Sequence, residues 1–145
     1  MSILDRLKED HEEAKQLITR IVESEDKDER KTLFKEFASK ISAHNEAEEL
    51  VFYKRMEKHD ESRFTALEGE EEHDVADRVL QSLGKSTAKD SDRWTARATV
   101  LKELLEHHVE EEEDEAFEKA RAIFSADELD AMGEEFERKK QSLMK

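Results

Sequence analysis

The sequence predicts an all-α fold: an antiparallel up-down-up-down four-helix bundle with a short additional C-terminal helix. Three observations predict it. Proline is absent and glycine occurs only three times in 145 residues, so little interrupts a helix. Apolar residues recur at helical spacing over four long segments. The breaks between those segments are short and polar, which suits antiparallel neighbours. One domain, 1–145, is expected, with the bundle over about 3–124 and the last helix over about 126–143.

The first helix is expected from about Ile3 to Glu23, with Ser2 as N-cap and Leu4, Leu7, His11, Ala14, Ile18 and Ile21 inward. The polar turn SEDKDER follows. A second helix, from about Asp28 to Lys58, places Leu33, Phe34, Phe37, Ile41, His44, Glu48, Val51 and Phe52 inward. HDES, residues 59–62, breaks it. The third, from about Ser62 to Leu83, carries Leu67, Glu70, His73, Ala76, Asp77 and Leu80 on one face. GKSTAKDSD is a loop. The fourth, from about Asp92 to Phe124, turns Trp94, Ala98, Leu101, Leu105, His108, Glu112 and Ala116 inward. Ser125-x-x-Glu128 is a capping box that opens the fifth helix, with Leu129, Met132, Phe136 and Leu143 on its apolar face.

Charged residues make up 45% of the chain and the net charge is -15. Such a surface repels nucleic acid and anionic membranes and is compatible with cations. Seven Phe and one Trp at helical spacing argue against disorder. Without cysteine there are no disulfides, thiolate metal sites or iron–sulfur clusters. No apolar run approaches the roughly 20 residues of a membrane span, and MSILDRLKED lacks a signal-peptide core. A soluble cytoplasmic protein is expected.

The stripes carry polar residues where a core needs none. Each long helix sends one histidine inward: His11, His44, His73 and His108. Two also send a carboxylate one turn on, Glu48 and Glu112, because positions i and i+4 lie about 40° apart. The two halves echo each other, HNEAEELVFY against HVEEEEDEAF. Burying an unpaired carboxylate costs several kcal/mol, on the order of a quarter of a domain's net stability. Metal cations remove that cost, since they charge-balance the carboxylates and accept the imidazole lone pairs. Four imidazoles and two carboxylates exceed the four ligands of a structural zinc. They suit two octahedral ions bridged by the carboxylates, iron first and manganese second.

This order, H…HxxxE…H…HxxxE with one histidine or one pair per helix, resembles the hemerythrin-like family with its HHE cation-binding domain. The likeness covers roughly residues 1–124. It implies the same bundle and a carboxylate-bridged non-heme di-iron site held by His11, His44, Glu48, His73, His108 and Glu112. One departure matters. Oxygen-carrying members have HxxxH on the third helix, whereas here it reads His73-Asp-Val-Ala-Asp77. Asp77, Glu70 or solvent is then expected in place of the second histidine. That disfavours reversible oxygen carriage and favours reaction with hydrogen peroxide, dioxygen or nitric oxide. Carriage or sensing of oxygen or nitric oxide, and iron storage, are the alternatives. Carriers also use a five-residue step on the fourth helix, which His107 to Glu112 would match; the stripe from Leu101 and Leu105 selects His108. His59 reads as surface, His107 as surface or as a support behind the ligands, Glu110 to Glu115 as mostly solvated apart from Glu112, and Tyr53 as packing on the side of its helix opposite His44.

Overall fold

The computed structural model describes residues 1–144, which form five helical segments and no strand. Helix α1 is Ile3–Glu23, capped by Ser2, whose Oγ accepts from the Leu4 amide at 3.1 Å. Helix α2 is 27–56: Lys27–Glu48, one π-helical turn at Glu49–Tyr53, and a last turn Lys54–Met56. Asp26 is its cap, accepting from the Asp28 amide at 3.0 Å. His59 is extended and ends the helical run. Helix α3 is Asp60–Lys85. Helix α4 is 92–123: Asp92–Glu111, a second π-helical turn at Glu112–Ala116, and Phe117–Ile123. Helix α5 is Ala126–Leu143, and the capping box of Ser125 and Glu128 closes in both directions.

Helix α1 packs against α2 and α4, α3 against α4, and α5 lies along α1 and α2. Gly133 of α5 allows the close approach, because a Cβ there would overlap the Met1 carbonyl oxygen. At one end Arg30 donates to the carbonyls of Lys89 (2.8 Å) and Val22 (3.1 Å), and Trp94 Nε1 donates to Leu83 O (3.1 Å). These bonds tie the α3–α4 loop to the helices.

The apolar interior is divided. One buried cluster contains Leu7, Ala47, Phe52, Ala66, Ala116 and Phe136. The other contains Ala14, Phe37, Leu80, Leu83, Trp94 and Leu105. Along every long helix the chain passes between the two at its inward histidine. His11 separates Leu7 from Ala14, His44 separates Phe37 from Ala47, His73 separates Ala66 from Leu80, and His108 separates Leu105 from Ala116. The histidines thus form a polar layer sandwiched between apolar ones. Each buried Leu or Phe contributes about 1.5–3 kcal/mol, which offsets the cost of enclosing that layer.

The α3 face differs from the expected one. Ala66, Gly69, His73, Leu80 and Leu83 are buried, whereas Leu67 is 44% exposed. Gly69 and Ala66 stand four and seven residues before His73, one helical face in true register. Small residues belong there because the Tyr53 ring fills the space: a Cβ on Gly69 would come within 2.6 Å of the Tyr53 hydroxyl.

Candidate metal centre

His11, His44, Glu48, His73, His108 and Glu112 converge in the polar layer, each buried to less than a tenth of its exposure. His11, His44 and Glu48 offer ligand atoms within 4.8 Å of one another, and so do Glu48, His73 and His108. Both carboxylates straddle the two groups. Glu48 Oε1 lies 3.6 Å from His44 Nε2 and 3.3 Å from His73 Nε2. Glu112 lies 3.1 Å from His11 Nε2 through Oε1 and 3.5 Å from His108 Nε2 through Oε2.

Every imidazole is oriented by a carboxylate behind it. The Nδ1–H groups donate outward: His44 to Asp10 at 2.8 Å, His73 to Glu49 at 2.8 Å, His108 to Glu72 at 2.7 Å and His11 to Glu113 at 2.8 Å. With one proton held on Nδ1, each Nε2 faces the layer, and its lone pair is the one a metal would take, as metal-binding histidines require. These contacts form a closed circuit. Residues of α1 hold α2, α2 holds α3, α3 holds α4 and α4 holds α1. The four carboxylates stand beside a ligand candidate in sequence, Asp10 and Glu72 before a histidine, Glu49 and Glu113 after a glutamate. That position lies about 100° off the inward stripe. Glu113 therefore corrects the expectation that Glu112 alone of the 110–115 run is engaged.

Tyr53 is the second correction. It is 1% exposed, and its hydroxyl donates to Glu112 Oε2 across the layer. In a continuous α-helix Tyr53 falls opposite His44. The π turn inserts one residue and rotates everything beyond it by about 100°, which brings Tyr53 to the inward face. The matching π turn places Phe117 likewise. Tyr53 lies on the His73 ring at 5.5 Å and Phe117 stacks on His11 at 6.4 Å. Phe117 has no hydroxyl, so Glu48 receives no corresponding bond. Both Glu48 oxygens, Glu112 Oε1 and His11 Nε2 are buried without a hydrogen-bond partner.

Glu70 and Asp77 do not join the cluster. Glu70 turns to Glu57; partial burial and that hydrogen bond push its carboxyl up to about 7. Asp77 is exposed, on the wall of a cleft of about 400 Å³ that opens beside His73 and His108. His107 is exposed while His108 is buried, and His59 sits edge-on against Phe124.

The donor set fits cations. His73 Nε2 and His108 Nε2 are 3.1 Å apart, and two lone pairs at that distance need a positive charge, a proton or a metal ion, between them. The unpartnered Glu48 oxygens need one as well. An all-helical chain with such a layer is of the cation-binding helical class. Residues 2–120 match the family described as the Hemerythrin HHE cation binding domain, and the chain belongs to that family. Neither the search of curated proteins nor that of solved structures gives a match. Helix α5 lies beyond the matched segment, yet its Phe136 packs edge-on against His44 and its Lys140 pairs with Asp10. No helix among the described residues is long and apolar enough to cross a membrane.

Proposed function

We propose that the centre holds two iron ions, with manganese as substitute, and that it reacts with hydrogen peroxide or dioxygen in a protective role. The observation that carries this reading is the placement of Glu48 and Glu112, each between two imidazole Nε2 atoms of different groups. Ions of mixed nitrogen and oxygen ligation, bridged by carboxylates, supply Lewis acidity and exchange electrons with an oxidant. The pairings α1–α2, α3–α4 and α1–α4 support an antiparallel up-down-up-down bundle around them.

The residues themselves supply access and asymmetry. The cleft beside His73 and His108 is walled by Phe37, Ile41, Leu80, Leu101 and Leu105, wide enough for a small uncharged oxidant. Asp77 on its wall lies where an oxygen carrier would have a second histidine. That group is thereby left with fewer protein nitrogen donors and more room for exchange. Tyr53, which belongs to the other apolar cluster, holds Glu112 in place from the opposite side of the layer.

Metal analysis of protein from iron-replete cells should give about two iron ions per chain, and the oxidised protein should evolve oxygen from hydrogen peroxide. A single zinc at full occupancy would refute the paired site. A stable, vacuum-reversible oxygen adduct with peroxide left untouched would establish the carrier alternative instead.

A further inference from the structure

Helix α4 reads His107-His108-Val109-Glu110-Glu111-Glu112, so two His-x-x-x-Glu pairs are interleaved one residue apart. His108 and Glu112 face the buried centre. His107 and Glu111 are rotated outward by about 100°, with His107 Nε2 3.3 Å from Glu111 Oε2. Glu72 of α3 completes the outer set, its Oε2 3.9 Å from His107 Nε2. One ligand atom from each of these three residues lies within 4.8 Å of the others. We propose that Glu72, His107 and Glu111 form a half-exposed divalent-cation site through which the buried centre is loaded.

Three independent features support it. Glu72 serves both places, since its Oε1 accepts from His108 Nδ1 at 2.7 Å while its Oε2 faces His107. A crevice of about 10 Å³, the size of one water, runs between α3 and α4. It is lined by Glu68, Glu72, Glu111 and Glu115, and by the buried Tyr53 and Glu112. Glu112, a carboxylate of the buried centre, closes the inner end: its Oε2 accepts from Tyr53 there, while its Oε1 faces His11 Nε2 at 3.1 Å.

The third feature is the other half of the repeat. Asp10 is the counterpart of Glu72: each precedes an inward histidine and holds the histidine of the following helix. The other neighbour of Asp10 is the Lys140 ammonium of α5, at 2.9 and 3.1 Å. A cation therefore already stands beside one of the two equivalent carboxylates. Among the described residues no lysine or arginine pairs with Glu72, and a nitrogen–oxygen ligand pair, His107 and Glu111, takes that position instead. The net charge of -15 concentrates cations at such a mouth.

The proposal rests on the buried cluster being a metal centre, and one experiment separates the two. Metal-free full-length protein is mixed with Co(II) under argon, and binding is followed by ligand-field absorption and by elemental analysis after gel filtration. His107→Ala and Glu111→Gln should reach the wild-type content of the centre about tenfold more slowly, the low end of the 10–100-fold that removing a supporting residue costs in metal affinity. A weakly held extra ion in the wild-type titration should vanish in both. Glu110→Gln, which removes the same charge from an exposed neighbour, should load like wild type. Equal rates in all proteins without an extra ion overturn the loading site alone. Slowing by Glu110→Gln as large as by Glu111→Gln overturns it too, because general attraction then suffices. A wild type that takes up no Co(II) overturns the centre and the loading site together.

Discussion

The Tyr53 hydroxyl donates to Glu112, whereas Glu48, the matching carboxylate of the other half, receives no hydrogen bond. Phe117 stands where a second tyrosine would restore the symmetry. Tyr53→Phe should therefore keep the fold and remove one bond to a buried carboxylate. Such bonds are worth about 1.5–3 kcal/mol. The loss should appear in urea denaturation of the metal-free protein and shrink once metal satisfies Glu112. Equal losses with and without metal would contradict this role for the hydroxyl.

Gly69 makes Tyr53 possible. A Cβ at Gly69 would press on the hydroxyl and ring, 2.6 to 2.9 Å away, and the ring is fully enclosed. Gly69→Ala gains up to about 1 kcal/mol of helix propensity but should be destabilising overall, since overpacking costs about 1–3 kcal/mol. Gly84→Ala meets only Phe34 at 3.6 Å, an ordinary contact, and should stabilise by up to about 1 kcal/mol. Thermal melts of the two variants should move in opposite directions.

The inward residues were legible because a 3.6-residue period marks them without knowledge of the neighbours. His11, His44, Glu48, His108 and Glu112 each sit on an apolar stripe that is buried as expected. Tyr53 was misplaced because a π turn leaves no mark in the period and shifts every later position by one. The only available signal was that both halves place an aromatic nine residues after the histidine, Tyr53 and Phe117. Glu113 was illegible for another reason. In a run of six acids nothing local separates it from Glu110 or Asp114; only its match to Glu49 in the repeat does. On α3 the bulk of Leu67 misled, because the inward places belong to small residues that accommodate Tyr53.

The outer carboxylates should matter for metal although none is a ligand candidate of the buried centre. Glu113→Gln leaves an acceptor for His11 Nδ1 but weakens the charge behind it. Metal affinity should fall about 10–100-fold, with iron retained at saturating concentration. Exposed Glu110→Gln should leave affinity unchanged. Competition with a chelator measures both. Identical affinities in the two variants would refute an orienting role for Glu113.

Removal of metal should invert the pH dependence of stability. In the metal-free chain, burial pushes the His11 imidazolium down, but Glu112 and Glu113 outweigh it and raise its pKa from 6.5 to about 9. His73 is raised by Glu48 and Glu49 against burial, and His108 well above its ordinary value by Glu112 and Glu72. A group whose pKa is raised by folding stabilises fully below its unfolded pKa, 6.5 for His11, and loses that contribution as pH climbs through about 9. The urea midpoint of the metal-free protein should thus decline over that window. Metal ligation needs the unprotonated Nε2 atoms, so protons compete with it, and the loaded protein should gain stability from acid toward neutral pH. Loading near neutral pH should release protons, measurable with an indicator in weak buffer. A metal-free midpoint that rises between 6.5 and 9, or loading without proton release, would show that the imidazoles are neutral before metal arrives.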